Sequence, residues 1–127
     1  MKKIIVTLEF ELKPVDIDDI ISTALEGGIN YWCRKAIIKK ENDIIVGVEE
    51  NVKYEYASDI ISLGGTLILF DAESSDKWEL NLENVLKGIQ KHCTDKNMTP
   101  IELMDCYDAD DADSIVQYAL FDELVFS

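Results

Sequence analysis

Asp16-Ile17-Asp18-Asp19-Ile20-Ile21-Ser22-Thr23-Ala24-Leu25-Glu26-Gly27-Gly28-Ile29-Asn30-Tyr31-Trp32 is the stretch that decides the fold. Ile17, Ile20, Ile21, Ala24 and Leu25 fall at i, i+3, i+4, i+7 and i+8, the apolar stripe of a helix that must be covered. Asp16 suits the N-cap, and Asp18 and Asp19 suit the first turn, where the helix dipole favours carboxylates. Gly27-Gly28 offers a left-handed residue to close the helix. Beyond it, residues 29–40 are rich in aromatic and β-branched side chains and predict a long strand.

Working outward, Ile4, Val6, Leu8, Phe10 and Leu12 alternate with Ile5, Thr7, Glu9 and Glu11. Period two predicts a half-buried strand, ended by Pro14. On the other side, Glu41-Asn42-Asp43 predicts a turn into a strand at 44–48. Residues 57–63 read as a short helix closed by Gly64-Gly65, repeating the helix, Gly-Gly, strand device of Gly27-Gly28. Residues 66–70 and 77–80 read as a hairpin around a turn at 71–76. Leu82, Val85, Leu86 and Ile89 restore helical spacing behind Asn81 as cap, and a loop is expected at 94–100. Ala112, Ile115, Val116, Ala119 and Leu120 mark the buried face of a last helix, followed by the apolar Leu124-Val125-Phe126. Hairpin-paired strands with helices over them predict a two-layer α+β fold: a mostly antiparallel sheet, helices on one face. With no linker and no low-complexity tract, residues 1–127 are expected to form one domain.

Composition narrows the function. The chain carries 12 Lys+Arg against 26 Asp+Glu, a formal charge of −14. That balance repels nucleic acid and anionic membrane and favours cationic partners. Cys33, Cys93 and Cys106 are an odd, scattered set, unlike a secreted disulfide framework. Lys2-Lys3-Ile4-Ile5-Val6 imitates the start of a signal peptide, but the apolar run stops at Thr7 and Glu9 and Glu11 follow. A cytoplasmic protein is expected.

Catalytic signatures are missing. The single histidine, His92, neighbours Cys93 near a predicted helix end, but adjacent helical residues point about 100° apart. Its position near a helix C-terminus is explained by the dipole alone. Three scattered cysteines and one histidine lack the paired spacings of a zinc site. The glycine pairs follow helices, whereas a phosphate-cradling loop precedes one. No enzyme, metal or cofactor is expected. Of the adjacent Tyr31 and Trp32, one faces the core and the other faces out, so Trp32 is either a core residue or a contact anchor.

Asp105, Asp108, Asp110, Asp111 and Asp113 put five aspartates within nine residues. Between Asn97 and Ser127 there is no Lys or Arg, so this quarter of the chain holds −8 of the −14. Three readings compete. Aspartates at a helix start are stabilised by its dipole. A calcium loop wants D-x-D-x-D-G spacing, which Ala112 and the absent glycine break. A docking surface for a basic partner presents dense carboxylates as these do.

Three stretches carry a resemblance: Gly27-Gly28-Ile29-Asn30-Tyr31-Trp32-Cys33; Gly64-Gly65-Thr66-Leu67-Ile68-Leu69-Phe70-Asp71-Ala72-Glu73 with Lys77-Trp78-Glu79-Leu80; and Val116-Gln117-Tyr118-Ala119-Leu120-Phe121 with Glu123-Leu124-Val125-Phe126. Together they resemble small uncharacterised acidic proteins of phages and prophages of Gram-positive bacteria. The resemblance covers most of the chain and brings no catalytic residue. It implies an accessory phage protein acting in the host cytoplasm. The expected function is non-enzymatic binding of a basic host protein surface, blocking a nuclease such as a CRISPR effector or another defence system. Asp105, Asp108, Asp110, Asp111, Asp113 and Trp32 are the candidate contacts. The alternatives are a structural or interaction protein and a small-ligand, nucleotide-signal binder, with a pocket between the Trp32 strand and a helix and Arg34, Lys35, Lys39 and Lys40 gathering the anion.

Overall fold

Pro14 starts a helix instead of ending a strand. In the computed structural model, which describes residues 2–127, α1 spans Pro14–Thr23 with Pro14 in its first turn. A missing N–H is harmless there, and the fixed φ suits the helix. Asp16 lies at the third helical position, not at the cap, and its carboxylate accepts the Lys13 N–H at 2.8 Å. Ile17, Ile20, Ile21 and Ala24 are buried, as the apolar stripe requires. The helix runs into a π-helical turn, Ala24–Gly28, and neither Gly27 nor Gly28 has positive φ. Gly28 serves close approach instead: a Cβ there would stand 2.7 Å from the Ala109 carbonyl oxygen.

Residues 29–32 form hydrogen-bonded turns, with Trp32 N–H and Cys33 N–H both donating to Ile29 O. Strand β1 is therefore shorter than the sequence predicts, spanning Cys33–Ile38. β2 (Lys40–Glu41) and β3 (Ile44–Ile45) pair across Asn42-Asp43, whose φ values of 51° and 64° are those of a type I′ turn. A single 3₁₀ turn, Ala57–Ile60, stands where the short helix was expected, and Gly64 closes this region with φ +100°. β4 (Leu67–Asp71) and β5 (Lys77–Leu80) make the expected hairpin. The main sheet has the order β1-β4-β5, antiparallel throughout.

Three helices complete the chain. α2 (Leu82–Lys96) is capped by Asn81, whose side chain accepts the Asn84 N–H at 3.0 Å. The loop expected at 94–100 shrinks to 97–99, because α2 runs through Lys96 and α3 (Pro100–Cys106) starts at once, opened by Pro100 and by reciprocal bonds between Thr99 and Glu102. α4 (Ala109–Phe121) is capped by Asp108. α2 and α4 form the most extensive element pairing. Gly88 permits it, because a Cβ there would lie 2.3 Å from the Ile115 carbonyl oxygen. The fold is α+β, with four helices packed against a three-stranded antiparallel sheet and a separate hairpin. Its core joins Ile17, Ile20, Leu69, Leu80, Val85, Ile89, Ile115 and Val116 in one apolar cluster. Leu86, expected inward, is exposed.

The strand expected over Ile4 to Leu12 does not form. Residues 2–12 have no regular secondary structure, and Val6 and Leu8 are 76% and 68% exposed. Alternation gives a segment two faces, but a strand also needs an edge to bond to. No such bond joins residues 2–12 to the rest of the described chain. Among the described residues no helix is long and apolar enough to cross a membrane.

Candidate functional site

The five aspartates separate into two sets. Asp105 sits at the end of α3 and Asp108 and Asp110 at the start of α4, all three exposed. Asp108 accepts the Asp111 N–H at 2.9 Å, and that backbone hydrogen bond, more than any other contact, holds its carboxyl below the ordinary range. Asp105 and Asp110 have no side-chain hydrogen bond in the described structure. Exposed Glu102 stands one turn before Asp105 and Cys106 on α3. None of Glu102, Asp105, Asp108 and Asp110 forms an ion pair with a described residue.

Asp111 and Asp113 face inward. His92, 1% exposed on α2, places Nε2 2.8 Å from the Asp111 carboxylate. Facing a carboxylate, Nε2 carries a proton and donates, so the ring ties α2 to the start of α4, a role that the helix dipole alone does not give it. Nδ1 of the same ring is buried without a partner. The neighbouring Cys93 thiol is pushed up by burial first and by Asp111 and Glu102 second, away from the thiolate a nucleophile needs.

Asp113 accepts three donors. Its carboxylate takes the Trp32 Nε1–H at 2.8 Å, the Tyr31 hydroxyl at 2.6 Å and the Gln117 amide at 2.9 Å. The Tyr31 hydroxyl is pushed up to about 12, by desolvation and then by the bond to Asp113, because a phenolate would face that carboxylate. Gln117, 1% exposed, turns its carbonyl to the N–H groups of Val125 and Phe126, both at 2.8 Å. The tail thus held lays Phe126 flat on Trp32, with centroids 4.9 Å apart and planes 3° apart. Trp78 and Phe121 complete a four-ring cluster. Trp32 is 2% exposed and belongs to the core, so of the adjacent pair Tyr31 faces out and Trp32 is not an outward anchor.

Beside β1, a cleft of about 230 Å³ touches Asn30, Cys33, Arg34 and Lys35. It is smaller than the roughly 300–1,000 Å³ of small-molecule pockets. Arg34 and Lys35 stand over the Phe70 ring, 5.1 and 4.6 Å from its centroid. Among the described residues no three His, Cys, Asp or Glu side chains gather as a metal site.

The exposed aspartates were marked by their density in sequence. The Asp113–Gln117 node was not, since its partners lie more than 80 positions away. A local hint exists: two polar residues at i, i+4 beside the apolar Val116 point to a polar pair at the edge of the buried face. Comparison with family models, curated proteins and solved structures finds no match to this chain.

Proposed function

We propose that the chain is a non-enzymatic binding protein that meets a basic protein surface through Glu102, Asp105, Asp108 and Asp110. The observation that carries this reading is the exposure of these four unpaired carboxylates in a stretch, 97–127, without a Lys or Arg. Such a field steers a cationic partner and raises its association rate. Asp111, Asp113 and Trp32 act from behind, by fixing α4 and the tail. The phage resemblance makes the partner a host nuclease or defence complex, and the protein an accessory blocker of it.

Replacing Asp105, Asp108 and Asp110 together by Asn removes three charges and keeps an amide that caps a helix well. A partner captured from host lysate by the wild-type chain should carry a basic surface. Its association with the triple variant should slow about tenfold or more at low salt, and wild-type association should slow as salt rises. Equal rates for the two chains at low salt would sink the reading.

A further inference from the structure

Residues 2–12 have the makings of a strand except an edge. Ile4, Val6, Leu8 and Phe10 form one alternating set and Lys3, Ile5, Thr7, Glu9 and Glu11 the other. Ile4 is 92% exposed, and the backbone of the segment bonds to nothing in the described chain. The segment borders an open groove of about 1,400 Å³, with Leu82, Leu86 and Ile89 of α2 on the opposite wall.

The charges select what fills it. Lysines stand at one end of the segment and glutamates at the other, so it is complementary to itself only when reversed. In an antiparallel pair centred on Val6, Lys3 lies opposite Glu9 and diagonal to Glu11, and Ile4 lies opposite Leu8. Val6 meets its own copy, so the contact is isologous and closes at two chains. Repulsion between two acidic chains is also reduced along this segment: residues 2–13 hold Lys2, Lys3 and Lys13 against Glu9 and Glu11, whereas the whole chain is −14. A two-stranded ribbon is marginal alone, and the exposed Leu86 supplies a surface for its apolar face.

We infer that a second copy of this chain occupies the groove. Residues 3–9 of two copies pair antiparallel about a twofold axis at Val6, and Ile4, Val6, Leu8 and Phe10 close over Leu82 and Leu86. Of the acidic docking residues only Glu102 borders the groove, so the D105N/D108N/D110N variant should dimerise as the wild type does.

Sedimentation across a concentration series tests this, with Lys3→Glu and Glu9→Lys as separate variants. Both side chains are exposed, and unchanged circular dichroism will certify the fold. Wild type should pass from one chain mass to two. Each reversal places like charges opposite each other twice in the dimer and should weaken self-association about tenfold or more. Mixing the two variants should restore a dimer, because the substituted positions 3 and 9 then face each other with opposite charge on one side and the native Glu9 and Lys3 pair on the other. A wild-type chain that stays monomeric to about 1 mM overturns the inference. So does a dimer indifferent to both reversals, or a mixture that recovers nothing; either would mean pairing with some other surface.

Discussion

Both ends of the described chain are apolar, and only one is tied down. Ile4, Val6 and Leu8 stand in solvent, while Phe126 lies against Trp32. The contrast is not one of hydrophobicity, since the first segment holds more apolar residues than the tail. It is one of backbone partners. Gln117 gives the tail an acceptor for two N–H groups and a donor for the Phe126 carbonyl. Nothing does the same for residues 2–12. An apolar segment docks when its peptide groups are satisfied along with its side chains.

Breaking the tied end gives the largest effects. Asp113→Ala should lower unfolding free energy by about 3 kcal/mol, because the buried Trp32 N–H and the Gln117 amide both lose a charged acceptor. Denaturant melts measure it, and a loss under 1 kcal/mol would mean that other groups replace the carboxylate. Gln117→Leu should follow, at about 2 kcal/mol. It removes the acceptor of the tail while keeping an apolar body, so proteolysis should then trim residues 122–127 faster.

Alkaline pH probes the same node without a mutation. The folded value of Tyr31 lies above the ordinary 10.0, so its contribution is complete below pH 10 and is lost as pH rises toward about 12. Stability should fall across that window, and the fall should be shallower in Tyr31→Phe. Absorbance titration should show one of the five tyrosines ionising late through this contact. The smallest effect belongs to the free end: Leu8→Ser should change monomer stability by less than about 0.5 kcal/mol, as for exposed sites generally. A loss of 2 kcal/mol would show that residues 2–12 pack in solution and would erase the contrast.

Elements whose cause is local were legible in the sequence. Asn42-Asp43 adopts the left-handed pair its chemistry favours, Asn81 caps α2, and the β4–β5 hairpin falls within one residue of its expected bounds. Proline was the recurrent source of error. Pro14 reads as the end of a strand and Pro100 as the last residue of a loop, yet each opens a helix, and Thr99 with Glu102 spells a capping box that announces α3. The strand at 4–12 failed for a different reason: period two reports amphipathicity and is silent on whether an edge is within reach. The exposed part of the aspartate site was legible from charge density alone. Which aspartates turn inward was not, because Trp32 and His92 reach them only after the chain has folded back.

The four-ring cluster gives the molecule an optical gauge. Trp32 and Trp78 are its only two tryptophans, and both lie in the cluster with centroids 5.8 Å apart and ring planes at 66°. Transition dipoles that close and oblique couple, so the strong far-ultraviolet indole band should carry an exciton couplet from this one place. Phe126, stacked on Trp32, excludes water from one indole face. Release of the tail should therefore shift the emission to the red and weaken the couplet while the helical signal stays constant. A chain without any added label thus reports the docking of its last turn by colour.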